Sequence, residues 1–134
     1  MVSGNLCALV ALMALASCFK DETVSGYADP EAVYRLEEIS GSTFPAAATI
    51  TFPEEGTVAG EGPCNHWSAS QSAPYPWFEI GPILSTKRAC ADLDAEARFF
   101  EALGTMTLVE TQGALVLLSN DEDQTMVFRQ SDQP

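Results

Sequence analysis

Several short stretches of this chain place apolar residues at every second position, which is the pattern of a strand buried on one face. Tyr34 and Leu36 alternate in this way, and so do Ile50 and Phe52. Extended stretches with turn residues between them follow at 77–84, 106–111, 114–120 and 125–130, and the last two resemble a hairpin. The spacing predicts about seven short antiparallel strands.

One segment, over residues 92–103, has a helical period instead. Asp92 is a plausible N-cap, and Gly104 is placed to end the helix. The apolar face predicted for it consists of Leu93, Ala97, Phe100 and Leu103. Together these patterns predict an α+β fold, a small antiparallel β-barrel or roll with one helix packed across it.

The N-terminal segment differs from the rest of the chain. Residues 6–16 are apolar and uncharged, but eleven residues span only about 16 Å, too little for a bilayer core of about 30 Å. The run is typical of a secretory signal, although no Lys or Arg precedes it. The sequence Leu-Ala-Ser-Cys that ends at Cys18 resembles the lipobox of bacterial lipoproteins. We therefore expect cleavage before Cys18 and a lipid on its thiol.

This interpretation divides the chain. We expect a lipoprotein signal peptide over residues 1–17, a polar tether over 18–31, a domain over 32–129 and a tail over 130–134. Phe19 rather than Asp follows the cysteine, which favours the outer membrane. The expected location is the envelope of a Gram-negative bacterium, on an outer-membrane lipoprotein facing the periplasm.

The net charge of −13 at pH 7 restricts the partners. Phosphates would repel so acidic a chain, and anionic lipid headgroups would repel it as well. We expect no nucleic acid partner and no membrane binding other than through the lipid on Cys18. The sequence predicts no cofactor and no metal, and we expect a monomer.

Cys64 stands two residues before His66, the chain's one histidine, and allows three interpretations. His66 could serve it as a base, the pair could bind zinc together with Cys90, or Cys64 could form a disulfide. With Cys7 removed in the signal and Cys18 acylated, two cysteines remain in an oxidising compartment. We therefore predict a Cys64–Cys90 disulfide and no catalytic residue.

Aromatic residues cluster around two prolines in the middle of the chain. Such a cluster could line a groove for an apolar ligand, or it could be a loop folded over one end of the core. The candidate groove residues are Trp67, Tyr75, Trp77 and Phe78.

Several motifs together resemble the META domain family of HslJ-like heat-shock proteins, over residues 32–129. These are the aromatic-x-Leu start at Tyr34, the strand, turn and Cys-Asn pattern over residues 49–65, and the Thr-basic-x-x-Cys motif ending at Cys90. The resemblance implies a barrel-like α+β fold, similar to the cracked β-barrel of secretin pilot proteins that bind lipid. It names no catalytic residue, and lipoprotein forms are common in the family.

From these observations we expect a noncatalytic, lipid-anchored envelope protein. Its role would lie in stress tolerance or as an accessory of envelope assembly or secretion, with an apolar ligand or an envelope protein as partner. Two alternatives remain open: a periplasmic carrier that holds an apolar ligand or lipid in a cracked barrel, and a Cys64-dependent hydrolase.

Overall fold

A computed structural model describes residues 20–131 of the chain. The predicted signal peptide and the lipidation site at Cys18 lie outside these residues. The strands are β1 (Tyr34–Ile39), β2 (Ser42–Thr43), β3 (Thr49–Glu54), β4 (Gly56–Glu61), β5 (His66–Gln71), β6 (Leu84–Ser85), β7 (Leu108–Gln112), β8 (Leu115–Ser119) and β9 (Thr125–Gln130). A 3-10 helix (Val24–Gly26) precedes them, and the helix α1 (Leu93–Thr105) lies between β6 and β7.

All of these strands belong to one antiparallel sheet, so the predicted α+β class is confirmed. Its order is β6-β5-β4-β3-β1-β9-β8-β7, and β2 pairs with β1. The sheet has nine strands and not about seven. The two-residue strand β2 is too short to produce any alternation that the sequence could reveal, and β6 is the end of the extended stretch predicted over 77–84.

The sheet is not closed into a barrel, because its end strands β6 and β7 do not pair. An irregular segment, residues 76–81, lies in the gap. Phe78 N–H donates to the carbonyl of Thr107 beside β7, and Gly81 N–H donates to the carbonyl of Ser70 on β5, both at 2.9 Å. Pro76 and Gly81, with Pro82 directly after them, interrupt a regular ladder, so the extended stretch predicted over 77–84 forms one short strand and two isolated bridges.

The predicted strand faces do form the core. Tyr34, Leu36, Ile50 and Phe52 are all buried on the inner face of the sheet. The predicted helix face is confirmed in part. Leu103 is buried and Phe100 is partly buried against the core, but the other buried apolar residues of α1 are Ala95 and Phe99. Leu93 and Ala97 are exposed.

Phe99 decides which face of α1 is buried. Its ring packs against Trp67 and Phe44, with ring centroids 5.8 Å and 6.3 Å away, and aromatic contacts of this kind add to the burial energy. Asp92 makes no side-chain capping hydrogen bond, and the helix ends at Thr105, beyond the predicted stop at Gly104. No helix within residues 20–131 is both long enough and apolar enough to cross a bilayer.

Residues 20–31, expected to be a tether, are folded against the domain. Val24 is buried, and Tyr75 N–H donates to the Glu22 carbonyl at 2.7 Å. The Asp21 carboxylate accepts hydrogen bonds from Ser25 Oγ and from Thr23 N and Oγ1. The packed part of the protein therefore begins near Asp21, about ten residues before the expected boundary at residue 32.

The Asp21 carboxylate also makes this segment sensitive to acid. Burial acts to raise its pKa, but the hydrogen bonds from Ser25 and Thr23 leave the pKa below the ordinary value of 3.8. A carboxylate whose pKa is lower in the folded than in the unfolded state stabilises the fold at pH values above the unfolded-state pKa. This stabilisation is lost as the pH falls through the folded-state pKa.

Candidate functional site

The two cysteines of the described region are joined to each other. Cys64 lies in the loop between β4 and β5, and Cys90 lies just before α1. The structure places them in a disulfide with Cα atoms 5.6 Å apart, inside the range that this bond requires. The arrangement is the one that the sequence predicts. A sulfur in this bond is not a nucleophile, because nucleophilic attack requires the free thiolate.

His66 does not face Cys64. It is the first residue of β5, opposite Glu61 across the hairpin, and its Nδ1 contacts the Glu61 carboxylate. The imidazole is 62% exposed. Because Cys64 lies in the loop and not in β5, the two-residue spacing does not put both side chains on one face.

Zinc requires three or four ligands that converge on one point. Among the side chains of residues 20–131, no group of three or more His, Cys, Asp or Glu is placed to hold a metal ion.

A buried carboxylate, that of Glu96 on α1, lies behind the disulfide. Glu96 is only 5% exposed. Its Oε2 accepts hydrogen bonds from the backbone N–H groups of Cys64 and Asn65, both at 2.8 Å, and its Oε1 accepts one from Asn65 Nδ2 at 2.7 Å. Within the described residues no Lys, Arg or His forms an ion pair with it. These N–H donors therefore satisfy the charge in place of a cation.

The Asn65 side chain extends the network to the loop before Cys90. Its Oδ1 accepts from Thr86 Oγ1 at 2.8 Å and from Arg88 N at 2.6 Å, and its Nδ2 also donates to the Arg88 carbonyl at 3.0 Å. All of its donors and acceptors are used. We call these residues and the disulfide the Glu96 cluster, which comprises Cys64, Asn65, Thr86, Arg88, Cys90 and Glu96.

The Glu96 cluster joins the loop at Cys64, the loop before Cys90 and the first turns of α1. A buried polar network with every member satisfied fixes one arrangement of the chain. Gly62 belongs to the same packing, since a Cβ there would lie 2.7 Å from Glu96 Oε2. The Cys-Asn and Thr-basic-x-x-Cys motifs thus meet in a structural clamp.

Glu96 is the residue of this cluster that sequence reasoning missed. An acidic residue in the first turns of a helix suits the positive end of the helix dipole, and such a role does not require burial. A signal was present: Glu96 precedes Phe99 by three residues and Leu103 by seven, so it lies on their buried face.

The four aromatic candidates do not form one groove. Trp67 and Phe78 are core residues, 3% and 1% exposed. Tyr75 stacks on Tyr27, with ring centroids 4.1 Å apart, and its hydroxyl accepts the backbone N–H of Thr111 at 3.1 Å. The prediction of a common groove was therefore wrong, because neighbouring side chains in this segment point to opposite sides.

Trp77 is the exposed member of that group, at 58% of its surface. It lies between two open clefts, of about 440 and about 400 Å³, which also share Glu79 and Ile80 as lining residues. Tryptophan is enriched among the residues that contribute most of the binding energy at protein interfaces. We call Trp77, Glu79 and Ile80 the Trp77 surface.

Comparison with known families matches residues 30–133 to the META domain. The chain belongs to the META domain family. The match covers the whole sheet and the helix of this META domain. No curated protein matches the chain.

Three solved structures are similar in fold. A protein from Burkholderia xenovorans, solved by NMR, has a TM-score of 0.59 and 18% identity over 76% of this chain and 83% of its own. A second protein solved by NMR has a TM-score of 0.57 and 18% identity, over 75% of this chain and 89% of its own. A crystal structure of a DUF4847 family protein from Bacteroides vulgatus has a TM-score of 0.51 and 20% identity, over 65% of this chain and 61% of its own. At these identities the likeness concerns the fold alone.

Proposed function

We propose that this META domain protein is anchored in the cell envelope by a lipid and works by binding rather than by turnover. The supporting observation concerns the bonding partners of Cys64 and His66. The sulfur of Cys64 is bonded to Cys90, and His66 contacts Glu61 at the exposed surface. The residue types that suggested a nucleophile and its base thus have other partners.

The anchor is proposed from the Leu-Ala-Ser-Cys sequence that ends at Cys18. Acyl chains bind a bilayer with about 0.8 kcal/mol per buried CH₂ group, so two or more chains hold a protein firmly. Packing begins at Asp21, three residues later, and three extended residues span at most about 11 Å. The domain would therefore lie close to the membrane surface, in our proposal that of the outer membrane facing the periplasm.

The Trp77 surface is the proposed contact for a partner. Its apolar ring is exposed between two clefts, and a partner side chain that fills one of these clefts would also cover the ring. A contact with an envelope protein suits the role that the family resemblance suggests, in stress tolerance or as an accessory of assembly or secretion.

A carrier would use the gap between β6 and β7 instead. An apolar ligand in that gap would have to displace Phe78, which is 1% exposed.

Site-specific photo-crosslinking in intact cells tests this proposal. A crosslinker in place of Trp77 should give a discrete adduct, and one in place of Leu84, an apolar residue on β6 that is still more exposed, should not. In cells, Trp77→Ala should abolish the function that depends on the bound partner. It should change the free energy of unfolding by no more than about 0.5–1 kcal/mol, since exposed side chains contribute little to stability.

Three outcomes would contradict binding at Trp77. The first is identical adducts from positions 77 and 84, and the second is none from either. The third is a hydrolase activity of the purified protein that Cys64→Ser abolishes while the fold stays intact. A saturable shift of tryptophan fluorescence on adding lipid below its micelle concentration would favour the carrier instead.

A further inference from the structure

A third cleft, of about 700 Å³, opens on the outer face of β1, β3, β4 and β5 and shares no lining residue with the clefts at the Trp77 surface. Its volume lies in the range of small-molecule sites. Its lining includes charged and polar side chains from four strands, among them Arg35, Thr49, Thr51, Glu61 and His66, and the edge of Trp67. We propose that this cleft, called the Arg35 cleft below, binds a small organic acid through its carboxylate. This site is independent of the proposed partner surface.

Arg35 supplies the positive charge. Arg35 is exposed, and among residues 20–131 no partner forms an ion pair or a hydrogen bond with its guanidinium group. Its direct cross-strand neighbour is another arginine, Arg129, and the nearby carboxylate of Glu37 is bonded to Arg129 Nε at 2.6 Å. Like charges directly opposite each other destabilise a sheet. A bound anion would relieve that repulsion, and this arrangement is unexpected in a chain of net charge −13.

The hydroxyl groups of the cleft have hydrogen-bonding capacity left for a ligand. Thr49 Oγ1 accepts the backbone N–H of Glu61 at 3.0 Å, so its own proton remains to be donated. Thr51 Oγ1 donates to the Ala59 carbonyl at 3.2 Å, so its lone pairs remain to accept. The carboxylate of Glu61, which would repel an anion, is in contact with His66 Nδ1.

Trp67 supplies a reporter beside the cleft. Its Nε1 is the buried side-chain polar atom that has no hydrogen-bond partner in the described part of the chain. Gly60 also lines the cleft, and a Cβ there would lie 3.0 Å from Trp67 Nε1. The Thr49 carbonyl oxygen would lie closer still to that same Cβ, so the backbone of Gly60 and Thr49 separates the indole N–H from the cleft. The buried indole therefore lies just beneath the cleft, where a change in the packing of these strands on ligand binding would alter its surroundings.

The ligand class follows from these groups. A guanidinium pairs with a carboxylate through two parallel N–H···O bonds, and Thr49 offers a further donor. Val33 and Ala59 contribute apolar surface for a short carbon chain or ring. Inorganic phosphate shares the charge and the acceptor oxygens, so the test has to separate it from a carboxylate.

The test is an NMR titration of the ¹⁵N-labelled full chain with sodium benzoate, sodium succinate and inorganic phosphate, at constant ionic strength. A carboxylate should shift the Trp67 indole N–H and the Arg35 Nε–H resonances saturably. The Trp77 indole N–H, which lies outside the cleft, should stay in place. Arg35→Gln should weaken binding at least about tenfold, because charged hydrogen bonds are among the strongest.

Arg98→Gln is the matched control, since it removes the same charge from the helix and should leave the titration unchanged. Arg35→Lys keeps the charge but not the paired geometry, and should weaken binding by an intermediate amount. The proposal is overturned if no probe shifts Trp67 saturably, or if Arg35→Gln binds as well as the native chain. Saturation by phosphate alone would overturn the carboxylate assignment.

Discussion

Replacing Glu96 with alanine should lower the free energy of unfolding by about 3–5 kcal/mol, because it leaves three buried N–H donors without an acceptor. These donors are the backbone N–H groups of Cys64 and Asn65 and the Asn65 side chain. Glu96→Gln should lose about 1–3 kcal/mol. The amide oxygen can still accept the two backbone N–H groups, but the NH₂ group then faces Asn65 Nδ2, which is also a donor. Urea unfolding measures both changes.

The control lies on the same helix. Glu101 is exposed, so Glu101→Ala removes an equal charge and should change the free energy of unfolding by less than about 0.5 kcal/mol. If Glu96→Ala lowers the free energy of unfolding as little as Glu101→Ala does, the Glu96 cluster does not stabilise the fold in the way described above.

Removing the disulfide should have an effect of similar size. Cys64 and Cys90 are separated by 26 residues, and closing a loop of that length stabilises a protein by about 3–4 kcal/mol in the chain-entropy model. The variant with both cysteines changed to serine should lose this amount. Reductant should lower the urea midpoint of the native protein and leave that of the variant unchanged. A native midpoint that is insensitive to reductant, after both thiols have been shown to be free, would refute the prediction.

The two changes should not be additive. The backbone N–H of Cys64 is itself a donor to Glu96, so the disulfide and the carboxylate act on the same loop. Neighbours in one network couple by about 0.5–3 kcal/mol. We therefore expect the combined variant to differ by such an amount from the sum of the separate losses.

The strands were predictable where a regular period covers several residues. Tyr34, Leu36, Ile50 and Phe52 alternate strictly, and burial on one face follows directly. In residues 76–81 the period fails, because Pro76 and the Gly81-Pro82 pair at its ends break the ladder. The sequence therefore gives no indication that Phe78 points inward while Trp77 points outward.

The helix and the Glu96 cluster show a different limit of prediction from the sequence. The sequence contains two overlapping apolar stripes in α1, and only the tertiary contacts of Phe99 select between them. The same selection buries Glu96, whose partners lie more than thirty residues away along the chain. The Cys64–Cys90 pair could be predicted by counting the cysteines that remain in the mature chain. A carboxylate that serves as an internal hydrogen-bond acceptor is recognised only from the fold.

The packing of residues 21–25 against the domain was not predicted, because their composition is polar. The Asp21 side chain nevertheless accepts hydrogen bonds from both Thr23 and Ser25.

Intact mass spectrometry of the protein purified from its native cell envelope, without reductant, tests most directly the proposal of a lipid-anchored protein that works by binding. The predicted species begins at Cys18, has acyl chains on that residue, and is two hydrogens lighter than the thiol form because Cys64 and Cys90 are bonded. Fragmentation should locate the acyl mass at residue 18 and the missing hydrogens at residues 64 and 90. An unmodified Cys18 or cleavage at another residue would contradict the anchor, and free thiols at Cys64 and Cys90 would reopen the possibility of a nucleophilic site.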